Sequence, residues 1–333
     1  MIYRTEHPKP QFMRENWLNL NGSWDFEIDH GGSGEARELY KPEADLSKKI
    51  QVPFCPESKL SGIGYTDFMN SVWYRREIEI TEAQLSNLVI LHCGAADYFT
   101  TIYVNGQKCG THKGGYVSFS VDITRYLFAG KNVITIHVED DTRSRLIPSG
   151  KQSTHYEDKR IFSALLVIPY FILIINIILI IISLIAQIFI KTKYYGDINN
   201  GTITVFAELQ GAGTFAVKAS YKGTAMGEAT VSSDGGTAVA VVKLAEKHLW
   251  QVGKGDLYDL ALSYGEDQVT SYFGLRSIQL TDKKFLLNGK SVFQRLILDQ
   301  GFYPDGIYTA PSDEELEKDI KRSLAMGFNG ARL

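Results

Sequence analysis

Cysteine is scarce in this 333-residue chain, with three in all. Cys55, Cys93 and Cys109 are odd in number and share no ligand spacing, which excludes a disulfide framework and a cysteine-based zinc site. Basic charge is not in excess either. Thirty-five Lys and Arg stand against 38 Asp and Glu, for a net charge of −3, so the balance points away from nucleic acid and from anionic membrane surfaces. The start, Met1-Ile2-Tyr3-Arg4, runs into polar residues and lacks the apolar core of a secretory leader, so the expectation is a cytoplasmic chain without a signal peptide. Gly31-Gly32-Ser33-Gly34 is followed by neither a helix start nor Lys-Ser/Thr and reads as a flexible loop, not a phosphate cradle. The largest absence is of charge itself, between residues 161 and 190.

That stretch reads IFSALLVIPYFILIINIILIIISLIAQIFI, interrupted by Pro169, Asn176 and Gln187 and flanked by charge at 157–160 and at Lys191 and Lys193. On pattern it is a membrane-spanning helix, since a window of about 19 such residues favours the bilayer by several kcal/mol. At about 1.5 Å per residue it would reach roughly 45 Å, longer than the hydrocarbon core of roughly 30 Å, so tilt or a kink at Pro169 is required. The competing reading is a hairpin of strands buried on both faces, because Ile and Phe favour strands. A single span would also place the segments before and after it on opposite sides of a bilayer.

The whole chain is 44% hydrophobic and 22% charged, so outside the apolar run the composition is that of a globular protein, and the length suggests two or three domains. Residues 17–28, 71–80, 87–91, 98–104, 117–121 and 132–138 are rich in aromatic and β-branched types, with turn chemistry at Asn21-Gly22, Asn105-Gly106, Gly114-Gly115 and Gly130-Lys131. This predicts an all-β sandwich or jelly roll. Trp24, Phe26, Trp73 and Phe119 are expected in its core. Arg75 and Arg76 lie on opposite faces of a strand, so at most one reaches an inward carboxylate. His112 is expected in a turn. Residues 201–209, 213–221, 225–231 and 237–244 alternate again, with 232–236 as a tight connection, and predict a second sandwich. Then the pattern changes to a hairpin at 285–290, a strand at 292–298, and an amphipathic helix at 312–326 with Ser312 as cap and Gly327 as stop.

The ordered series Leu20-Asn21-Gly22-Ser23-Trp24-Asp25-Phe26, Val52-Pro53-Phe54-Cys55-Pro56-Glu57-Ser58, Val72-Trp73-Tyr74-Arg75-Arg76, Gly94-Ala95-Ala96-Asp97-Tyr98 and His112-Lys113-Gly114-Gly115-Tyr116 resembles the sugar-binding jelly roll of glycoside hydrolase family 2. Trp250, Leu257-Tyr258-Asp259-Leu260 and Tyr272-Phe273-Gly274-Leu275-Arg276-Ser277 resemble the family's immunoglobulin-like domain. Arg295, residues 298–306 and residues 326–332 resemble the opening of its (β/α)₈ barrel. The resemblance implies a mainly β chain: a jelly roll over 1–157, an apolar segment expected to be helical or frame-shifted over 158–193, an immunoglobulin-like sandwich over 194–278, and the first, incomplete βα unit of the barrel over 279–333. It implies hydrolysis of β-glycosides by the retaining mechanism, with a β-glycoside carbohydrate as partner and no nucleotide cofactor. That mechanism needs an acid/base and a nucleophilic glutamate, both of which the family carries on later barrel strands, so no catalytic residue is assigned. Some relatives use Mg²⁺ or Na⁺, but their ligand positions have no match here, so no metal ligand is assigned. Barrel substrates sit at the C-terminal ends of the strands, which makes Asp299 and Gln300 the substrate-facing candidates. A second departure from the family lies across 158–190, where a strand resembling Thr-Gly-Ile-Trp is expected and the apolar run stands instead. Its Ile, Phe, Asn and Lys are products of AT-rich codons, so a shifted reading frame and an inserted span both account for it. Nothing in these patterns fixes an oligomeric state.

Overall fold

The computed structural model describes residues 2–141, 143–144, 146–148 and 193–333, together with the backbone of 174–182 and 187–188. The chain divides into two compact units. The first comprises Met1–Glu6, Trp17–Ile181 and Gln300–Glu317, and the second His7–Asn16, Ile182–Asp299 and Lys318–Leu333.

In the first unit the strands are β1 (Trp17–Asn19), β2 (Gly22–Ile28), β3 (Lys48–Val52), β4 (Ser71–Ile80), β5 (Leu88–Ala96), β6 (Phe99–Val104), β7 (Gln107–Lys113), β8 (Phe119–Asp122), β9 (Gly130–Glu139) and β10 (Ile174–Ile182). They form a six-stranded sheet in the order β3-β2-β4-β9-β6-β7 and a four-stranded sheet in the order β1-β10-β5-β8. Alternation along β2 turns Trp24, Phe26 and Ile28 inward, where they meet Tyr74, Ile102 and Ile136 of the same sheet and Val89 and Leu91 of the other. The turn chemistry acts as expected. Gly22, at φ +119°, separates β1 from β2, and Asn105-Gly106, at +50° and +77°, closes the β6–β7 hairpin, the positive pair that a type I′ turn requires.

The large sheet is covered on its second face too. Trp73, next to Tyr74 and pointing the opposite way, is fully buried with Leu39, Leu46 and Tyr103 under the segment that follows β2 and stacks on His137 with ring centroids 3.9 Å apart. The glycine-rich segment 31–34 is folded around Asp29, whose carboxylate accepts the N–H groups of Ser33 (3.0 Å) and Gly34 (2.7 Å). Burial pushes the Asp29 carboxyl up, but those two amides, the Trp73 indole and Arg37 outweigh it and hold it below its ordinary range. Arg75 reaches the Asp25 carboxylate at 3.1 Å, whereas Arg76 donates to the carbonyls of Leu20 and Asn21. His112 lies in β7, not in a turn, and stacks on the half-buried Phe119.

The helix expected for residues 161–190 is overturned wherever that run is described. Residues Ile174–Ile182 form strand β10, antiparallel to β1 with Trp17 opposite Ile180 and Asn19 opposite Ile178, and hydrogen-bonded to β5 on its other side. The reason is local. Isoleucine is β-branched and stiff at χ1, which favours a pleated strand, and without β10 the facing edges of β1 and β5 would be open. No helix among the described residues is long and apolar enough to cross a membrane. The expected span is therefore not retained, and the remainder of the run, with Pro169, lies outside the described residues.

The second unit contains β11 (Gln187–Ile188), β12 (Lys193–Asp197), β13 (Thr202–Gln210), β14 (Gly213–Tyr221), β15 (Thr224–Ser233), β16 (Gly236–Lys243), β17 (Tyr258–Tyr264) and β18 (Asp267–Phe273). One sheet runs β11-β13-β12 with β16 also paired to β13, and the other runs β15-β14-β17-β18. Their inward residues, among them Val205, Phe215, Val217, Leu260, Leu262 and Tyr264, make a single core. The early segment His7–Asn16 belongs here as well. Phe12 enters the core, Met13 bridges Thr270, and the buried Arg14 guanidinium meets Asp267 through two bonds of 2.8 and 2.9 Å.

Three short strands follow, β19 (Ile278–Leu280), β20 (Phe285–Leu287) and β21 (Lys290–Ser291), with Asn288 and Gly289 at positive φ closing the last pair. Then β22 (Leu296–Leu298) pairs in parallel with β23 (Gly330–Arg332), Leu296 opposite Gly330 and Leu298 opposite Arg332. The crossover between them contains the helix Asp313–Ala325. The expected strand over 292–298 is thus shorter, confined to its last three residues, because only these have a partner strand.

Candidate functional site

The residues nominated by sequence stand in succession. Asp299, half-buried, ends the β22 ladder by donating its N–H to the carbonyl of Arg332 at 2.9 Å. Gln300, exposed, opens the loop that leads to the helix.

In the first unit that loop is held by specific contacts. The Leu60 N–H donates to the Asp305 carbonyl at 3.0 Å, Lys59 pairs with the Asp305 carboxylate at 3.3 Å, and the Thr309 hydroxyl donates to the Pro53 carbonyl at 3.1 Å. Tyr303 and Ile307 exchange backbone bonds of 2.8 and 2.9 Å, closing a small ring. Gly306 is required by close packing, since a Cβ there would lie 2.0 Å from the Thr309 carbonyl oxygen and 3.2 Å from the Phe54 ring. Ile307 is buried against Cys55 and Ala95, with Phe302 and Tyr308 packed on that cluster.

Titratable groups gather around this contact. Asp97 follows β5 and Asp140 follows β9, and both are buried. Burial, and then the charge of Asp140, push the Asp97 carboxyl up to about 7. At neutral pH this side chain is therefore divided between an acceptor-only carboxylate and an acid that can donate. Gly115 lies directly over it, because a Cβ at that position would come within 2.2 Å of its Oδ1. The next residue, Tyr116, hydrogen-bonds through its hydroxyl to Tyr308 of the loop. Burial pushes both phenols upward, so both remain protonated. The Cys55 thiol is driven well above its ordinary range by burial and by Glu57, to which it also donates a hydrogen bond. It is accordingly a packed thiol and not a nucleophile.

The sequence quoted Asp97 and Tyr116 within family-like motifs without assigning them roles, and it passed over Asp140 and Tyr308. Their signal was an acid at the end of an apolar strand, but the pairing is made by two strands distant in the chain. Among the described residues no group of three or more His, Cys, Asp or Glu is disposed to hold a metal ion. No Mg²⁺ or Na⁺ ligand set is therefore assigned.

Comparison with known proteins places this arrangement. Residues 18–164 match the family model described as "Glycosyl hydrolases family 2, sugar binding domain", and residues 183–276 match the model described as "Glycosyl hydrolases family 2". A putative β-glucuronidase of Formosa agariphila is 28% identical over 275 residues, covering 78% of this chain and 32% of that protein. The β-glucuronidase of Paenibacillus borealis is 23% identical over 304 residues, covering 86% of this chain and 49% of that protein. Among solved structures, Lactobacillus rhamnosus β-glucuronidase superposes with a TM-score of 0.75 at 20% identity, covering 96% of this chain and 55% of the other. The present chain thus spans between a third and about half of each of these relatives.

Proposed function

This chain belongs to the family 2 glycosyl hydrolases, and from that premise we propose that it forms the non-catalytic front of a retaining β-glycosidase acting on β-glucuronides. In this reading the first unit is the sugar-binding jelly roll, the second carries the immunoglobulin-like sandwich, and β22, the helix and β23 are the first βα unit of the (β/α)₈ barrel. The observation that carries it is the parallel pairing of β22 with β23 across a helix, following two sandwiches in the family's order. A parallel pair joined through a helix is the repeating element of such barrels.

Asp299 and Gln300, at the C-terminal end of β22, are the residues of this chain proposed to face substrate. The loop they open is positioned by Tyr116, Leu60 and Pro53, so the jelly roll acts on the reaction by holding a barrel loop in place. The acid/base and the nucleophile would come from later barrel strands, and glucuronides are favoured over galactosides because both the curated relatives and the solved structure quoted above are β-glucuronidases.

The test is to sequence the locus beyond the Leu333 codon and express the chain with the frame that follows. Assays with p-nitrophenyl β-D-glucuronide and the matching galactoside should show hydrolysis with preference for the glucuronide. The 333-residue chain alone should show none. Absence of downstream strands bearing two glutamates would sink this reading. It would favour a non-catalytic carbohydrate-binding protein, a reading supported by the match of residues 18–164 to a sugar-binding domain.

A further inference from the structure

The sheet of β12, β13 and β16 is buried on one face only, and its outer face carries an organised set of side chains. Along β13, Ile203, Val205, Ala207 and Leu209 turn inward, which leaves Thr204, Phe206 and Glu208 outward. The antiparallel register sets Tyr195 opposite Thr204, Lys193 opposite Phe206, and Thr237 opposite Glu208. These six residues line an open cavity of about 560 Å³, within the range of roughly 300–1,000 Å³ found for small-ligand sites. Tyr195 is 59% exposed and meets Phe206 edge-on, with ring centroids 5.5 Å apart and planes at 85°. Whichever ring supplies the edge, at least one face of Tyr195 is left out of that contact.

We propose that this face is a carbohydrate-binding platform for one or two pyranose units of a glycan chain. A pyranose offers an apolar C–H face and a rim of hydroxyls that both donate and accept. The cavity matches both: an aromatic face for the C–H groups, and at its edges a cationic donor (Lys193), an anionic acceptor (Glu208) and two hydroxyls (Thr204 and Thr237) that do either. A docked protein would instead call for a contiguous dry centre depleted of charge. Here each strand-to-strand row mixes apolar with polar groups: Lys193 beside Phe206 and Val239, and Thr204 between Tyr195 and Val241. The platform shares no residue with the 300–309 loop and stands independently of the catalytic reading.

The experiment is a titration of the full 333-residue chain, followed by NMR or calorimetry, with cellotetraose and with a β-linked oligosaccharide ending in glucuronate. Millimolar or tighter binding is expected. Tyr195→Ala should weaken it about tenfold, as removal of one aromatic contact implies. Lys193→Gln should weaken it severalfold, with the circular-dichroism melting curve unchanged. Absence of binding by the wild-type chain, or binding indifferent to Tyr195→Ala, overturns the proposal. So does self-association of the chain that Tyr195→Ala abolishes, which would assign the face to a second copy. Because the readout is binding and not hydrolysis, it is unaffected by the outcome of the glucuronide assay.

Discussion

The two sandwiches bury their sheets differently. In the first unit the large sheet is covered on both faces, so neighbouring residues on β4, Trp73 and Tyr74, are each fully buried, and β9 is buried continuously from Asn132 to Val138. In the second unit β16 and β17 largely alternate between buried and accessible residues. Double coverage forces polar groups into the interior, since a strand has no outward side to send them to. Asn132, Thr135, His137 and the Tyr74 hydroxyl are buried for that reason. Single coverage leaves a free sheet face, and on β12–β13–β16 that face holds the aromatic cavity. On β4 and β9 polar side chains are therefore internal and structural, whereas on β12, β13 and β16 they lie on the accessible face.

Substitutions can break that contrast. Trp73→Ala should have the largest effect, a loss of about 4 kcal/mol, read by denaturant unfolding as an earlier transition of the first unit with the second unchanged. Arg14→Ala should do the reverse, lowering the stability of the second unit by about 3 kcal/mol because the buried Asp267 carboxylate loses its guanidinium. Protease sensitivity mapped to residues 7–16 would check it.

The next effect is in the pH dependence. Asp97 has an ordinary value of 3.8 and is raised to about 7 in the fold, so the unfolded chain releases this proton first. The first unit should lose stability as pH rises from about 4 to about 7 and level off above, and Asp97→Asn should remove that loss. His137, pushed by burial from 6.5 down to about 4, works in the opposite sense: its contribution is present above 6.5 and is lost as pH falls toward 4. The difference between the wild-type and Asp97→Asn urea midpoints therefore isolates the carboxylate.

Tyr74→Phe should stabilise the first unit by about 1 kcal/mol, because the buried hydroxyl has no hydrogen-bond partner among the described residues. A lower urea midpoint would show that a partner had been removed. Val241→Ala, on the exposed outer face of the second unit, should shift its midpoint by no more than about 0.5 kcal/mol.

How much of this was legible follows from the same contrast. Some strands with aromatic or alternating residues were read to their ends, 71–80 as β4 and 213–221 as β14, whereas β17 and β18, which alternate as clearly, were not read as strands. Strands β3 (Lys48–Val52) and β7 (Gln107–Lys113), at the two edges of the large sheet, were missed because an edge strand carries lysines and few apolar residues. Residues 174–182 were misread because unbroken isoleucine carries no period, so a strand and a membrane helix look alike until a neighbour strand is known. The candidate site divides in a similar way. Asp299 and Gln300 were nominated through family resemblance, whereas the pairing of Asp97 with Asp140, and of Tyr116 with Tyr308, exists only once separate segments have come together.

The ion pair between Arg14 and Asp267 spans 253 positions of sequence, and it orders events during synthesis. Residues 7–16 are made before the first sandwich, yet the strand that receives them is made long after that sandwich has emerged. An early segment must therefore wait, unsatisfied, while its neighbours in sequence fold without it. Long-range closures of this kind slow folding and prolong the exposure of apolar chain. Phe12→Ser, which weakens the hold of residues 7–16 on the second core, should therefore lower the yield of the second unit while leaving the first intact.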